Sequence, residues 1–153
     1  MRKLWFVLLV FLGSCIARPY VSTPNNIPPQ AIIETALSLR GKPARYGGTT
    51  PSGFDCAGFT VYVFAQHGIQ LPRTAHAQAR YGKKVYRREL LPADLIFFHT
   101  KSWGADLNHV GIYIGNNQFI HVGYSAPAGV RIDSMNNPYY EKRFLYGRRI
   151  LSP

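Results

Sequence analysis

This chain holds two cysteines and five histidines, and one of them, Cys56, stands where a thiol is reactive. From 56 to 67 the residues Phe59, Tyr62 and Val63 fall on one helical face, and Gly68 stops the run. Cys56 is therefore expected in the first turn of a helix, with Asp55 as its N-cap. A thiol attacks a carbonyl as thiolate, and the unpaired N–H groups of a helix start stabilise that anion. The same groups, that of Ala57 included, are placed to receive the oxyanion formed when an amide carbonyl is attacked. Asp55 works against the thiolate, because a carboxylate beside the sulfur raises the thiol pKa. A cationic partner has to outweigh it.

That partner should be a histidine, and a hairpin selects which one. With 115–117 (Gly-Asn-Asn) as a three-residue loop, Ile114 faces Gln118, Ile112 faces Ile120, Val110 faces Val122 and Gly111 faces His121. One face is then apolar throughout. On the other, His109 lies diagonal to His121, about 7–8 Å between backbones, and Gly111 has no side chain to keep the rings apart. In this arrangement His109 takes the Cys56 proton to give a thiolate–imidazolium pair, then returns it to the leaving amine, while His121 orients His109. His67, His76 and His99 are read as structural. One Cys and two His are also a legitimate zinc set for a metal-dependent amidase. No HExxH or CxxC spacing accompanies them, so neither a metal nor another cofactor is expected.

The elements that must hold these residues are legible in outline. Pro28 and Pro29 open a helix over 31–39 that Gly41 and Pro43 close, 47–53 is a loop, and a short helix fits 74–81 between Pro72 and Gly82. Strands are expected at 95–98, 110–114, 119–122, 130–132 and 146–151, which are rich in β-branched and aromatic residues. Helices first and consecutive strands after them make an α+β domain with an antiparallel sheet. An apolar share of 46%, with 14% aromatic, fills a core and excludes disorder for most of the chain.

The motifs RYGG (45–48), GFDCAGF (53–59), LPRTA (71–75), DLIFF (94–98), HVGIYIGNNQFIH (109–121), PYYEKRF (138–144) and RRIL (148–151) together resemble the NlpC family of bacterial cell-wall peptidases, which are papain-like cysteine hydrolases. The resemblance implies a papain-like α+β domain over 31–153, with N-terminal helices packed on a five- to six-stranded antiparallel sheet. It implies Cys56 as nucleophile, His109 as general base and His121 as the third residue. It also implies peptidoglycan stem peptides as substrate. The bond is γ-D-glutamyl to diaminopimelate in much of the family, and the D-alanyl to diaminopimelate cross-link in the members this chain most resembles.

Three residues depart from the family pattern. Ala57 stands where Ser usually follows the cysteine, Ala93 where Gly usually precedes the Asp, and Ala44 where a Tyr commonly lies twelve residues before the nucleophile. That tyrosine is thought to donate to the oxyanion. Tyr46, on the same side of an extended strand, is the candidate substitute, and losing such a donor costs about a hundredfold in rate. A lipoprotein that only binds peptidoglycan is the rival that Ala44 leaves open.

The N-terminus reads as an export signal. Arg2 and Lys3 precede an unbroken apolar run over 4–12, too short to span a bilayer. The run ends in Leu-Gly-Ser-Cys, which resembles a bacterial lipoprotein signal. Residues 1–14 are then signal peptide, Cys15 is the lipidated residue, and 15–30, with Pro19, Pro24, Pro28 and Pro29, is an extended tether. The expected location is the periplasm, anchored to the outer membrane through the lipid alone, with cleavage after Ala17 and a soluble periplasmic or secreted protein as the alternative. The formal net charge of +11 calls for an anionic partner, and export makes that partner the cell wall and not nucleic acid. The oligomeric state is not legible.

Overall fold

The computed structural model describes residues 26–100 and 107–152. The expected signal peptide, the Cys15 lipidation site and most of the expected tether lie outside the described residues. No helix among those described is long and apolar enough to cross a membrane.

Helix α1 (Pro29–Ser38) begins on Pro29, inside the stretch expected to be tether, because the fixed φ of proline suits a first helical turn. It buries Ile32, Ile33 and Ala36. Two short strands, β1 (Thr49–Thr50) and β2 (Gly53–Phe54), form a small antiparallel pair leading into α2 (Cys56–Ala65). Helix α2 is apolar on nearly every side and buries Ala57, Gly58, Phe59, Thr60, Val63 and Phe64, the pattern of a helix at the centre of a domain. It is shorter than the expected 56–67, and His67 beyond its end bonds the Thr35 hydroxyl of α1 at 2.8 Å. Helix α3 (Ala75–Gln78) is a single turn capped by Thr74, not the longer helix expected over 74–81.

The remaining strands are β3 (Lys83–Val85), β4 (Leu95–Phe98), β5 (His109–Gly115), β6 (Gln118–Gly123), β7 (Gly129–Ser134) and β8 (Phe144–Arg149), with a one-turn helix α4 (Pro138–Glu141) before the last. They form one six-stranded sheet in the order β3-β8-β4-β5-β6-β7, antiparallel throughout. The expected α+β architecture is thus present. Alternate residues of β4 go to opposite faces: Leu95 and Phe97 join the α2 core, while Ile96 and Phe98 pack with Phe119, Met135 and Tyr140. Strand β3 was not expected, because its lysines read as a solvated basic run. An edge strand tolerates such charges, and they discourage further pairing.

The hairpin register holds where it matters, and its loop is corrected. Ile112 pairs with Ile120, as expected, and Tyr113 with Phe119, but Gly115 and not Ile114 pairs with Gln118. The turn has two residues, Asn116 and Asn117, at φ 51° and 56°, the left-handed pair that a tight hairpin requires. A two-residue loop alone would have put the histidines on opposite faces. An irregularity between Tyr113 and Gly115 absorbs the extra residue and restores the register.

Ala93 explains one departure from the family pattern. It is buried and lies at φ 73° just before β4, a conformation that costs an alanine about 1–2 kcal/mol and glycine almost nothing.

Candidate active site

Asp55 starts α2 by accepting the Gly58 N–H at 2.6 Å, and its carboxylate is also gripped by Arg73 at 2.6 and 3.1 Å. Gly58 must be glycine, since a Cβ there would overlap the Gly48 carbonyl. Buried Gln78 bonds the Thr60 hydroxyl and the carbonyls of Ala57 and Pro72, which fastens the start of α2 to the segment carrying Arg73. The first turn of the helix is therefore held on three sides. Cys56, a half-buried free thiol, sits in that turn against β5.

The sulfur is close enough to the N–H groups of Val110 and Ala57 and to the Tyr124 hydroxyl for each to favour its anion. Burial acts in the other direction and is the larger effect, with the Asp55 charge adding to it, so the thiol pKa is raised. Val110 follows His109 directly, which places the thiol beside that residue's backbone. The Cys56 N–H donates to the Tyr124 hydroxyl at 3.1 Å. Burial also lifts the Tyr124 phenol to about 12, so it stays protonated.

Both expected histidines are buried on the same face of the sheet. His109 Nε2 and His121 Nδ1 are 2.7 Å apart, and the rings cross at 86°. Gly111 makes room, since a Cβ there would crowd the Cβ of His121 at 3.1 Å. His121 Nε2 reaches the Asp133 carboxylate on β7 at 2.7 Å. The same oxygen accepts Arg131 Nε at 2.8 Å and the Tyr140 hydroxyl at 3.2 Å. Burial, then the charges of His121 and Arg131, depress His109 to about 3 against the opposing pull of Asp133. Burial lowers His121 as well, although Asp133 resists it. Burial disfavours the Asp133 carboxylate, but the hydrogen bonds from His121 and Arg131 outweigh it and hold it at about 2.

Burial and the Asp55 charge raise the thiol and burial lowers His109, so both oppose the thiolate–imidazolium pair that the helix start favours.

Two cavities flank this centre. One of about 380 Å³ exposes Cys56, Asp55, Ala57, Arg73 and Tyr46, and the other, of about 470 Å³, exposes His109, His121, Arg131 and Tyr139. Thr100 and Tyr124 line both, so the second cavity adjoins the one that holds Cys56. Tyr46 stands fully exposed at its rim, and the hydroxyl on the Cys56 N–H is that of Tyr124. Arg73, Tyr124, Arg131, Asp133 and Tyr140 were not singled out as site residues. Only Arg131 and Asp133 carried a signal, as polar residues alternating with Val130 and Ile132 on the histidine face. Among the described residues no group of three or more His, Cys, Asp or Glu could hold a metal ion.

Residues 41–149 match the model of the NlpC/P60 family. The chain is 45% identical over 122 residues to the murein DD-endopeptidase MepS/murein LD-carboxypeptidase of Escherichia coli K12, covering 79% of this chain and 62% of that protein. It is 47% identical over 114 residues to the probable endopeptidase NlpC of the same organism, covering 74% and 72%. An NlpC/P60 family protein from Bacillus cereus superposes with a TM-score of 0.77 at 35% identity, over 85% of this chain and 42% of that one.

The buried histidines make stability depend on pH. Both bind fewer protons folded than unfolded between the ordinary value of 6.5 and the folded value of about 3 for His109. Stability is therefore full above that window and is lost as the pH falls through it, with a slope approaching ~1.4 kcal/mol per pH unit from His109 and a contribution of the same sign from His121. Urea unfolding should give a clearly lower midpoint at pH 4.5 than at pH 7, and His109→Leu should flatten the difference. Equal wild-type midpoints at the two pH values would contradict the burial account.

Proposed function

This chain belongs to the NlpC/P60 family, and from that premise we propose that it is a cysteine peptidase of the bacterial cell wall, cutting amide bonds in peptidoglycan stem peptides. The observation that carries the reading is Cys56 in the first turn of α2, its sulfur by the N–H of Val110, the residue that follows His109, and its N–H on Tyr124, whose ring lies 6.2 Å from that of His109 in the His109–His121 pair.

In the first step the Cys56 sulfur attacks the amide carbon as its proton passes to the ring nitrogen of His109 that does not face His121. The carbonyl oxygen becomes an oxyanion and takes over the Cys56 N–H from the Tyr124 hydroxyl. Collapse breaks the C–N bond, the amine leaves with the proton from His109, and a thioester remains. Water then attacks the thioester with His109 as base, which frees the carboxylic acid and restores the thiol. His121 holds the His109 ring and shares the charge that develops on it. Because the pair rests neutral, proton transfer accompanies attack and does not precede it.

The D-alanyl to diaminopimelate cross-link is the preferred bond. A relative 45% identical to this chain carries the name murein DD-endopeptidase. Two adjoining cavities beside the cysteine and the histidines suit an extended peptide. The basic charge suits a wall whose stem peptides carry carboxylates. An exported lipoprotein anchored through Cys15 would meet that substrate in the periplasm.

The full chain incubated with purified sacculi should convert cross-linked muropeptide dimers to monomers, and Cys56→Ala should release none. Equal products from the two proteins would refute the peptidase and favour a binding role. Cleavage between D-glutamate and diaminopimelate would move the bond within the same chemistry. Labelled palmitate should enter the full chain and be absent from Cys15→Ser; label persisting in that variant would reject the anchor.

A further inference from the structure

We propose that Asp133 is a positioning residue that sets which nitrogen of both His109 and His121 carries the proton, and that Arg131 offsets its charge so that the relay is oriented while staying neutral. The inference rests on His109 being the base of the proposed hydrolysis, and it concerns residues that the Cys-His-His reading leaves out.

Three groups meet Asp133 Oδ2: His121 Nε2 at 2.7 Å, Arg131 Nε at 2.8 Å and the Tyr140 hydroxyl at 3.2 Å. A carboxylate has no proton to give, and this one is held at about 2, so His121 must donate from Nε2. In a neutral ring that leaves His121 Nδ1 bare. His121 Nδ1 lies 2.7 Å from His109 Nε2, and a hydrogen bond between two ring nitrogens needs one proton, so His109 donates from Nε2. His109 Nδ1 is then the bare nitrogen, free to accept the thiol proton. The opposite tautomers would place a proton on His109 Nδ1 and leave no base. One carboxylate therefore sets two rings through two hydrogen bonds, as outer partners of histidines commonly set one.

Arg131 addresses the cost of that arrangement. An isolated carboxylate draws a proton onto the nearest imidazole, and an imidazolium at His109 accepts nothing. The guanidinium is fixed by Asp133, by the Ser125 carbonyl at 3.1 Å and by the Tyr140 hydroxyl at 3.4 Å. Its charge lowers the proton affinity of both histidines. The other ionisable groups around the pair are the Tyr140 phenol from α4, the Tyr124 phenol after β6, and Cys56 on α2, with Asp55 paired to Arg73. Among these described groups only Arg131 supplies a positive charge next to the relay.

The test uses the full chain in detergent, labelled with ¹⁵N-histidine, and long-range ¹H–¹⁵N spectra at neutral pH. His109 and His121 should each show a protonated Nε2 and a bare Nδ1. Asp133→Leu should move His121 toward the Nδ1–H form and lower kcat on a defined cross-linked muropeptide by about ten- to a hundredfold with KM little changed. Arg131→Met should keep the wild-type tautomers and move the acid limb of kcat/KM upward by about one pH unit or more. Nδ1–H on either histidine in the wild type overturns the assignment, and that spectrum requires no variant to fold. Wild-type spectra and rates in Asp133→Leu overturn it equally, and an unmoved acid limb in Arg131→Met removes the part given to the arginine. Should the tautomers be as assigned while Cys56→Ala digests sacculi like the wild type, the hydrolase reading fails and the proton assignment stands.

Discussion

The 2.7 Å contact between His109 and His121 is the constraint to which the rest of the domain conforms. It needs both side chains on one face of a single hairpin, which the tight Asn116-Asn117 turn denies unless the strand slips by a residue. The irregularity between Tyr113 and Gly115 supplies that slip. The contact also needs an empty place between the rings, which Gly111 provides, and a buried acceptor beyond them, which β7 delivers in Asp133. Aromatic rings of Phe98, Phe119 and Tyr140 close the back of the pair. No buried side-chain nitrogen or oxygen among the described residues lacks a partner, so the rings have few alternative positions.

The same burial changes the chemistry. A helix start favours a thiolate by way of a few N–H groups, but here both imidazoles are buried, the half-buried thiol is partly desolvated, and a carboxylate lies beside it. Desolvation penalises each charged form separately, whereas forming a charge pair during attack penalises neither for long. In the proposed reaction the helix end contributes most when negative charge moves from sulfur to the carbonyl oxygen, at the N–H that Tyr124 now occupies. Ala44 removes a hydroxyl found in the family pattern, and a different hydroxyl stands at the Cys56 N–H.

Much of this was legible because it rests on local rules. Asp55 as a cap, Gly68 as a stop and the apolar pattern between them located α2 and its cysteine. The alternation through β5 and β6 put the histidines on one face even though the loop was assigned one residue too many, since a bulge leaves no mark in the pattern of apolar residues. The missing pieces were set by distant contacts. Nothing in the connection at 124–128 states how β7 aligns with β6, so the diagonal from His121 to Asp133 could not be drawn. Lysines disguised β3, the single-turn helix α4 is too short for periodicity to register, and α3 is shorter than the helix expected over 74–81.

The proposed reaction starts from an uncharged thiol and a neutral His109. Ultraviolet difference absorbance near 240 nm between the wild type and Cys56→Ser, followed across the pH range, reads the thiolate directly. A thiol raised by burial gives no thiolate signal from pH 5 to 8 and a rise only at alkaline pH, above the ordinary range of a free thiol. A thiolate already present at pH 5, titrating away only on further acidification, would contradict it.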